Sequence, residues 1–420
     1  MLDIKLIRNN PNLIKDACEK KGFNVDIDLL LETDKKRREI LQALEDMLAQ
    51  KNKASKEIRR AGPEDKNKII LKMRELDENS DRLNQDSQRL GKEFNDLMLK
   101  IPNIPFEDVP IGQDERDNIS IRKVGKKPKF DFQFKDYMEL SENLDLIDVK
   151  RAAKVSGSRF GYLKKEAALL EFALIKFASD VLTKKGFIPV VPPVMIKPEM
   201  ALGMGYLEQT GDDEAYFFPK DNLYLVGTSE QSIGAMHANE IFDIKDLPRR
   251  YFAFSTCFRR ESGSYGKDTK GILRVHQFDK LEMFVFSKPE DSKKEHKLLL
   301  SVEEELMKAL KIPYQVLRIC TGDLGRPAAA KYDMESWLPS ENRYRETHST
   351  SNCTDFQARR LNIRYKNEEA KLDFVHTLNG TAFAIGRTII AIIENYQQKE
   401  GSIKVPDVLQ KYVGFKQIKR

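Results

Sequence analysis

The sequence predicts an α+β protein in two parts: an N-terminal antiparallel helical coiled-coil arm, then a body on a mainly antiparallel sheet flanked by helices. Three observations carry that expectation. Apolar residues recur at steps of four and three over residues 27–101, the spacing of a narrow helical seam. A stretch punctuated by Pro102, Pro105 and Pro110 then ends the pattern. From residue 130 onward helical and β-rich runs mix without the regular βαβ alternation of a doubly wound sheet. With 420 residues, 40% hydrophobic and 33% charged, the chain can fill two or three domains, and its charged share suits an extended, solvated helical element.

The first limb of the arm places Ile40, Leu44, Met47, Ala54, Ile58 and Ala61 on the ladder, with Lys51 filling one rung. The second places Ile69, Met73, Leu76, Leu83, Leu90, Phe94, Leu97 and Ile101 there, with Ser80 and Ser87 as polar rungs. Between them, Gly62 is expected to take a left-handed C-cap and Pro63 to stop the first helix. Limbs of about 30 residues reach roughly 45 Å.

The arm also concentrates the charge. Against 66 acidic side chains the sequence has 72 basic ones, a net of +6. Residues 51–74 alone hold nine basic side chains and three acidic ones, so the local excess equals the total and the rest of the chain is balanced. A solvated coiled-coil surface carries many lysines, but its charges are normally interspersed, whereas these gather around the turn. Lys51, Lys53, Lys56, Arg59, Arg60, Lys66 and Lys68 are therefore the candidate RNA contacts. With few aromatics and no groove-reading motif, they suit backbone and shape contacts to a duplex-like RNA.

The expected division is 1–105 for the N-terminal domain with its arm (about 27–101), 106–129 for a linker and 130–420 for the body. Helical patterns cover 167–183, 293–311 and 388–397, and β-rich runs cover 250–258, 274–286, 360–365 and 371–377. No apolar run reaches the roughly 18 to 20 residues of a membrane span; the densest, 383–393, is interrupted by Arg387. The N-terminus has Asp3 and no long apolar core, so neither a secretory signal nor a transit peptide is indicated and a cytoplasmic location is expected. Cys18, Cys257, Cys320 and Cys353 form no C-x-x-C pair and the five histidines no H-x-x-x-H set. Neither a disulfide framework nor a zinc site is expected, and the thiols read as reduced and buried.

No P-loop is present, since Gly263-Ser264-Tyr265-Gly266-Lys267 is too short, and neither a G-x-S-x-G elbow nor an H-E-x-x-H appears. The densest chemistry runs from Thr256 to Glu282 and reads as strand, polar loop, strand, with Gly263, Gly266 and Gly271 letting the loop approach a ligand. Such a hairpin can hold Arg259 over a phosphate, which its planar fork grips bidentately, and offer Phe278 to a base. A charged surface hairpin satisfies the same spacing.

Phe258-Arg259-Arg260-Glu261, the glycine-bearing loop, and Val275-His276-Gln277-Phe278-Asp279-Lys280-Leu281-Glu282 together resemble motif 2 of class II aminoacyl-tRNA synthetases, in the form used by seryl-tRNA synthetases. Residues 186–193, ending in Pro192-Pro193, resemble motif 1, which lies at the dimer interface in this family. Residues 380–387 with Glu394-Asn395-Tyr396-Gln397 resemble motif 3. Residues 146–160, Thr228-Ser229-Glu230, Tyr332-Asp333-Met334-Glu335 and Tyr344-Arg345-Glu346 fit in order, and the arm matches the family's tRNA-binding domain. The resemblance covers the whole chain.

It implies a class II catalytic domain that condenses L-serine and ATP to seryl-adenylate and pyrophosphate, then acylates the 3′-terminal adenosine of tRNA(Ser), and of tRNA(Sec) where that tRNA exists. In-line attack at the α-phosphate concentrates negative charge, which preorganised cations stabilise. By motif match Arg259, Glu261 and Arg387 form the catalytic set: Arg259 on the α-phosphate and serine carboxylate, Arg387 on the γ-phosphate, Glu261 at the adenine end. Arg260, Val275, Phe278, Thr347 and His348 join the ATP set, and Glu346 and Ser349 would hold Mg2+. Rejecting alanine requires groups left unpaired without the serine hydroxyl. Glu282 would accept that hydroxyl and Thr381 would contact it; Thr228 and Glu230 would receive the α-amino group, with Ser229 and Asn379 beside them. The sequence departs from the family pattern at Thr347-His348, where Ile-Ser is usual, and at Thr381-Ala382-Phe383, where Ser-Gly-Leu is usual. The resemblance further implies a homodimer in which the arm of one subunit reaches tRNA at the other's active site. A carrier-protein ligase and a silent RNA-binding paralogue are the alternatives; the arm speaks against the first, and Arg259, Glu261, Glu282, Glu346 and Arg387 together against the second.

Overall fold

The computed structural model describes residues 1–206, 214–262 and 270–420. Its contacts divide the chain into two units, Met1–Pro102 and Asn103–Arg420.

The first unit is helical: α1 Ile4–Asn9, α2 Pro11–Lys20, α3 Ile27–Glu57 and α4 Pro63–Lys100. Asp26 caps α3 by accepting from the Leu29 N–H at 2.8 Å, satisfying a donor the helix cannot. α3 and α4 pack along the ladder read from the sequence. Ala54, Leu90 and Leu97 are buried; Ile40, Leu44, Met47, Ile69, Met73, Leu76, Leu83 and Phe94 are half-buried, and so are the polar rungs Ser80 and Ser87. Gly62 differs from expectation. It is extended, with φ −70° and ψ 171°, and is the N-cap of α4, while α3 ends through Ile58 in right-handed geometry. The residue before a proline is forced out of helical space, and Pro63 at the first helical position loses no needed N–H. At the base of the arm, the buried Asp34 takes Arg8 bidentately at 2.7 and 2.8 Å and Arg38 at 3.1 Å.

The second unit is built on an eight-stranded sheet. In chain order its strands are β1 Ile119–Val124, β2 Ile188–Val190, β3 Arg249–Phe258, β4 Gln277–Ser287, β5 Tyr314–Arg318, β6 Ala330–Leu338, β7 Arg343–Asn352 and β8 His376–Ala384. They lie in the order β1-β5-β6-β7-β8-β4-β3-β2, antiparallel throughout except for β2 beside β3. Helices α5 Lys165–Lys184, α6 Ser292–Leu310 and α7 Ile385–Asn395 share one core with it, joining Leu170, Leu174, Leu299, Leu306, Ile389 and Ile392 to Met283, Val285, Val316 and Leu378. Each such side chain contributes about 1.5 to 3 kcal/mol by burial.

Several boundaries move. The stretch read as a linker, 106–129, contains β1, which pairs with β5; just before it, Asn103 donates to the Pro327 and Cys353 carbonyls at 2.8 Å. The run 360–365 is the end of a helix, Phe356–Leu361, followed by a short strand, Arg364–Lys366. The run 371–377 divides into Leu372–Phe374 and the start of β8. The second strand of the 256–282 hairpin begins at Gln277, and the last long helix runs 385–395 instead of 388–397.

Two register shifts shape the sheet where it carries polar residues. Between β6 and β7 the pairing steps from Met334↔His348 to Glu335↔Glu346, leaving Thr347 as an extra residue. Between β4 and β8 it steps from Leu281↔Phe383 to Glu282↔Thr381, leaving Ala382 extra. Such bulges re-aim side chains and end pairing. The β7–β8 ladder covers only Thr350↔Gly380, Ser351↔Asn379 and Asn352↔Leu378, and beyond it the sheet opens into a cleft.

Candidate active site

The cleft has a volume of about 330 Å³ and is lined mainly by the ends of β3, β4, β7, β8 and the start of α7. Of the residues singled out in the sequence, Arg259, Glu261, Val275, Phe278, Glu346, Thr347, His348, Ser349, Arg387, Thr228, Glu230, Asn379 and Thr381 line it.

Arg259 follows β3, its Nε donating to the Gly227 carbonyl at 3.2 Å and its guanidinium 5.2 Å from the Phe278 ring centre. Arg387, in the first turn of α7, donates from Nη1 to the Glu346 carbonyl at 2.9 Å and reaches the Glu346 carboxylate at 3.3 Å. The Glu346 side chain is 48% exposed; partial desolvation in the cleft opposes its charge, but Arg387, Lys331 and Arg259 outweigh that and hold its carboxyl below the usual carboxylate range. Asp333 shows the opposite balance: burial lifts it to about 6 despite Lys331 at 3.0 Å and a hydrogen bond from Ser349. One Asp333 oxygen, Oδ1, is buried without a partner. At the other end, Glu261 takes Arg274 at 2.7 Å. Gly271 has φ 75°, and a Cβ there would lie 1.8 Å from the Tyr137 hydroxyl, so only glycine fits. Gly263 and Gly266 of the same loop lie outside the described residues.

The floor of the cleft is polar and buried. Glu282 is 1% exposed; it accepts from Thr381 Oγ1 at 3.1 Å and more weakly from Thr228 Oγ1 at 3.5 Å, and pairs with Lys280. Glu230, 5% exposed, accepts from Asn379 Nδ2 at 2.9 Å and Gln357 Nε2 at 3.5 Å. Burial pushes its carboxyl up to about 7, reinforced by the charge of Glu282 and opposed by the hydroxyl of Tyr206. His348 is buried, and desolvation drives its imidazole down to about 3, so the ring is neutral.

Three expected site residues stand elsewhere. Arg260 is exposed, with its guanidinium 5.5 Å over the Tyr216 ring; it lies past the end of β3, where its N–H bonds to the Glu214 carbonyl at 3.0 Å. Ser229 is fully buried and donates to the Ala253 carbonyl at 3.3 Å, so its hydroxyl holds the sheet and not the cleft. Glu282 lies behind the lining, reached through Thr381 and Lys280.

Two family models match this chain: the seryl-tRNA synthetase N-terminal domain over residues 1–105 and the tRNA synthetase class II core domain (G, H, P, S and T) over 216–396. The serine–tRNA ligase of Corynebacterium kroppenstedtii is 46% identical, over 99% of this chain and 98% of its own length. The chain belongs to the seryl-tRNA synthetase family. Another serine–tRNA ligase, from Dictyoglomus turgidum, is 42% identical over 100% of this chain and 99% of its own. The solved seryl-tRNA synthetase of Pyrococcus horikoshii, complexed with ATP, superposes with a TM-score of 0.91 at 43% identity, covering 100% of this chain and 99% of that one. The eight-stranded sheet is thus the core of a class II aminoacyl-tRNA synthetase.

Sequence reasoning passed over several lining residues of this seryl-tRNA synthetase fold: Tyr206, Lys280, Arg274 and Lys331. Lys280 was legible in principle, since Lys280-Leu281-Glu282 alternates on a recognised strand. Lys331 was not, because β6 is too polar to read as a strand. On the arm, Lys53, Lys56, Arg59, Arg60, Lys66 and Lys68 are exposed. Lys51 fills its rung of the seam and its ammonium lies 2.7 Å from Asp77, so it serves the helix pair first.

Proposed function

We propose that this chain activates L-serine with ATP and transfers the seryl group to the 3′-terminal adenosine of tRNA(Ser), and of tRNA(Sec) where present. One observation carries the reading. A buried hydroxyl, Thr381, lines the floor of a cleft whose rim holds Arg259 and Arg387, and a buried carboxylate, Glu282, stands directly behind it at 3.1 Å. A substrate hydroxyl inserted there can join this polar set as donor and acceptor, an interaction alanine cannot make, which discriminates better than shape. Relatives described as serine–tRNA ligases support the same substrate.

Glu230 receives the α-ammonium and thereby regains a charge that burial disfavours. Arg259 aligns the serine carboxylate with the α-phosphate. A carboxylate oxygen then bonds to that phosphorus as the bond to the β-phosphate oxygen breaks and pyrophosphate leaves. Arg387, resting on Glu346, is free to exchange that partner for the γ-phosphate, and Phe278 with Val275 and Glu261 holds the adenine. In the second step the terminal ribose hydroxyl attacks the seryl carbonyl and AMP departs. Glu346, kept ionised, Ser349, and the nearby unpartnered Asp333 oxygen are hard oxygen donors that fit Mg2+. Glu346 and Ser349 would hold that ion, which when bound neutralises phosphate charge.

Residues 1–105 act as the tRNA-binding part and 130–420 as the catalytic part, with 106–129 joined to the latter through β1. A homodimer is supported by the apolar side chains Leu169, Phe172 and Val191, which stand exposed on and after α5; the arm of one subunit then serves tRNA at the other's cleft. Among the described residues no helix is long and apolar enough to cross a membrane. A solved relative from Naegleria fowleri is described as cytoplasmic, and the same location is proposed here.

Pyrophosphate exchange with a panel of amino acids, followed by acylation of total tRNA, tests the reading. Serine alone should support both steps. Absence of serine-dependent exchange overturns it, and exchange without tRNA acylation favours a carrier-protein ligase.

A further inference from the structure

The two bulged residues, Thr347 on β7 and Ala382 on β8, are joined by one side chain. His348 Nε2 lies 3.1 Å from the Ala382 carbonyl and Nδ1 2.8 Å from Thr347 Oγ1. Thr347 Oγ1 is in turn 2.9 Å from Ser336 Oγ on β6. A carbonyl only accepts, so Nε2 carries the proton; Thr347 Oγ1, which also lies 3.3 Å from the Met334 carbonyl, gives its one proton along the shorter contact to Nδ1 and accepts from Ser336. Every member is buried, where a broken link leaves an unsatisfied polar atom. The chain of bonds spans three strands at the point where the main-chain ladder of β7 and β8 has stopped, two residues beyond Thr350↔Gly380.

On the cleft side of these bulges stand the groups that must act together: Glu346 and Ser349 on the β7 side, Thr381 on the β8 side. Thr347, His348, Ala382 and Phe383 all belong to this junction, with the Phe383 ring centre 5.9 Å from that of His348. We propose that His348 is a positioning residue that locks the two bulges and so sets the spacing between the serine floor and the phosphate wall of the cleft. A histidine bridges strands that carry no backbone bond there, and Thr347 orients it.

This inference rests on the assignment of Thr381 and Glu282 to the serine hydroxyl, and the test separates the two. The readout is the ratio of kcat/KM for serine over alanine in pyrophosphate exchange, which does not depend on the fraction of enzyme folded. Thr381→Ala and Glu282→Gln report the assignment itself; an unchanged ratio in both overturns that assignment and the lock with it. If they lower the ratio, His348→Ala should lower it about tenfold, the size of one lost buried hydrogen bond. His348→Gln, whose amide still donates to the Ala382 carbonyl, should stay within about threefold of wild type. Thr347→Val should resemble His348→Ala, and the double variant should lose no more than either single. An unchanged ratio in His348→Ala or Thr347→Val, or additive losses in the double variant, overturns the lock while leaving the serine assignment standing. Should His348→Ala fail to fold, the contrast between Thr347→Val and His348→Gln decides alone.

Discussion

Glu230 illustrates how burial sets chemistry at a single residue. Its carboxyl, raised to about 7, is divided between two protonation states near neutrality, and only the ionised one attracts an ammonium. As pH falls through 7 the group protonates and the attraction is lost. The kcat/KM for serine should therefore rise with pH and level off above about 7, with the change concentrated in KM. Glu230→Gln should remove that step and lower kcat/KM throughout; a wild-type profile flat from pH 6 to 8 would contradict the role. Folding responds in the opposite sense. Because the folded carboxyl lies above its unfolded value, its protonation contributes stability that is complete below the unfolded value and is lost as pH rises through about 7. Bound serine offsets that loss with its positive charge. None of this could be read from Thr228-Ser229-Glu230 as a string, since burial by Tyr206, Asn379 and Gln357 comes from distant parts of the chain.

At the scale of elements, legibility followed hydrophobic pattern. The arm was readable rung by rung, down to the polar rungs at Ser80 and Ser87, because a two-helix seam is a local periodicity. β6 and β7 were not. Residues 343–352 read Arg-Tyr-Arg-Glu-Thr-His-Ser-Thr-Ser-Asn, a strand whose buried positions are three hydroxyls, an imidazole and one amide, because they line and support a cleft. Strand pairing there is sustained by neighbours on both sides and not by apolar alternation. The base of the arm depends on a charge in the same non-local way. Asp34, with its side chain 1% exposed, holds Arg8 of α1 and Arg38 of α3. Asp34→Ala removes the shared acceptor of Arg8 and Arg38, which are partly solvated, and should destabilise the N-terminal unit by about 1 to 2 kcal/mol, seen as an earlier helical transition in thermal melts of the full chain. Pyrophosphate exchange, which needs only the catalytic unit, should be unaffected at 25 °C.

For the whole molecule, charge is partitioned between two kinds of work. The arm's excess lies on exposed side chains with long reach, while the cleft relies on a few arginines fixed by carbonyls and carboxylates. Replacing Lys53, Lys56, Arg59 and Arg60 with glutamine should leave serine-dependent exchange intact and weaken tRNA binding. The salt dependence should flatten by about 0.7 to 0.9 log units per lost phosphate contact. Lys51→Gln should change that slope little, because its ammonium is committed to Asp77. An unaltered slope in the quadruple variant would remove the turn of the arm from the RNA surface.

By itself the sequence determined the two-part plan, the helical hairpin and its charge, the family, and most of the residues that meet in the cleft, because helical periodicity and ordered motifs are properties of neighbouring positions. Tertiary structure alone decided which of those residues face the cleft: Arg260 and Ser229 turn away, Lys280 and Lys331 turn in, and Glu282 sits behind Thr381. It also decided the two register shifts, one on each side of His348, that connect Thr347 to Ala382. A register is a relation between strands far apart in the chain, set by packing and hydrogen bonding across the sheet. No stretch of sequence, read alone, contains it.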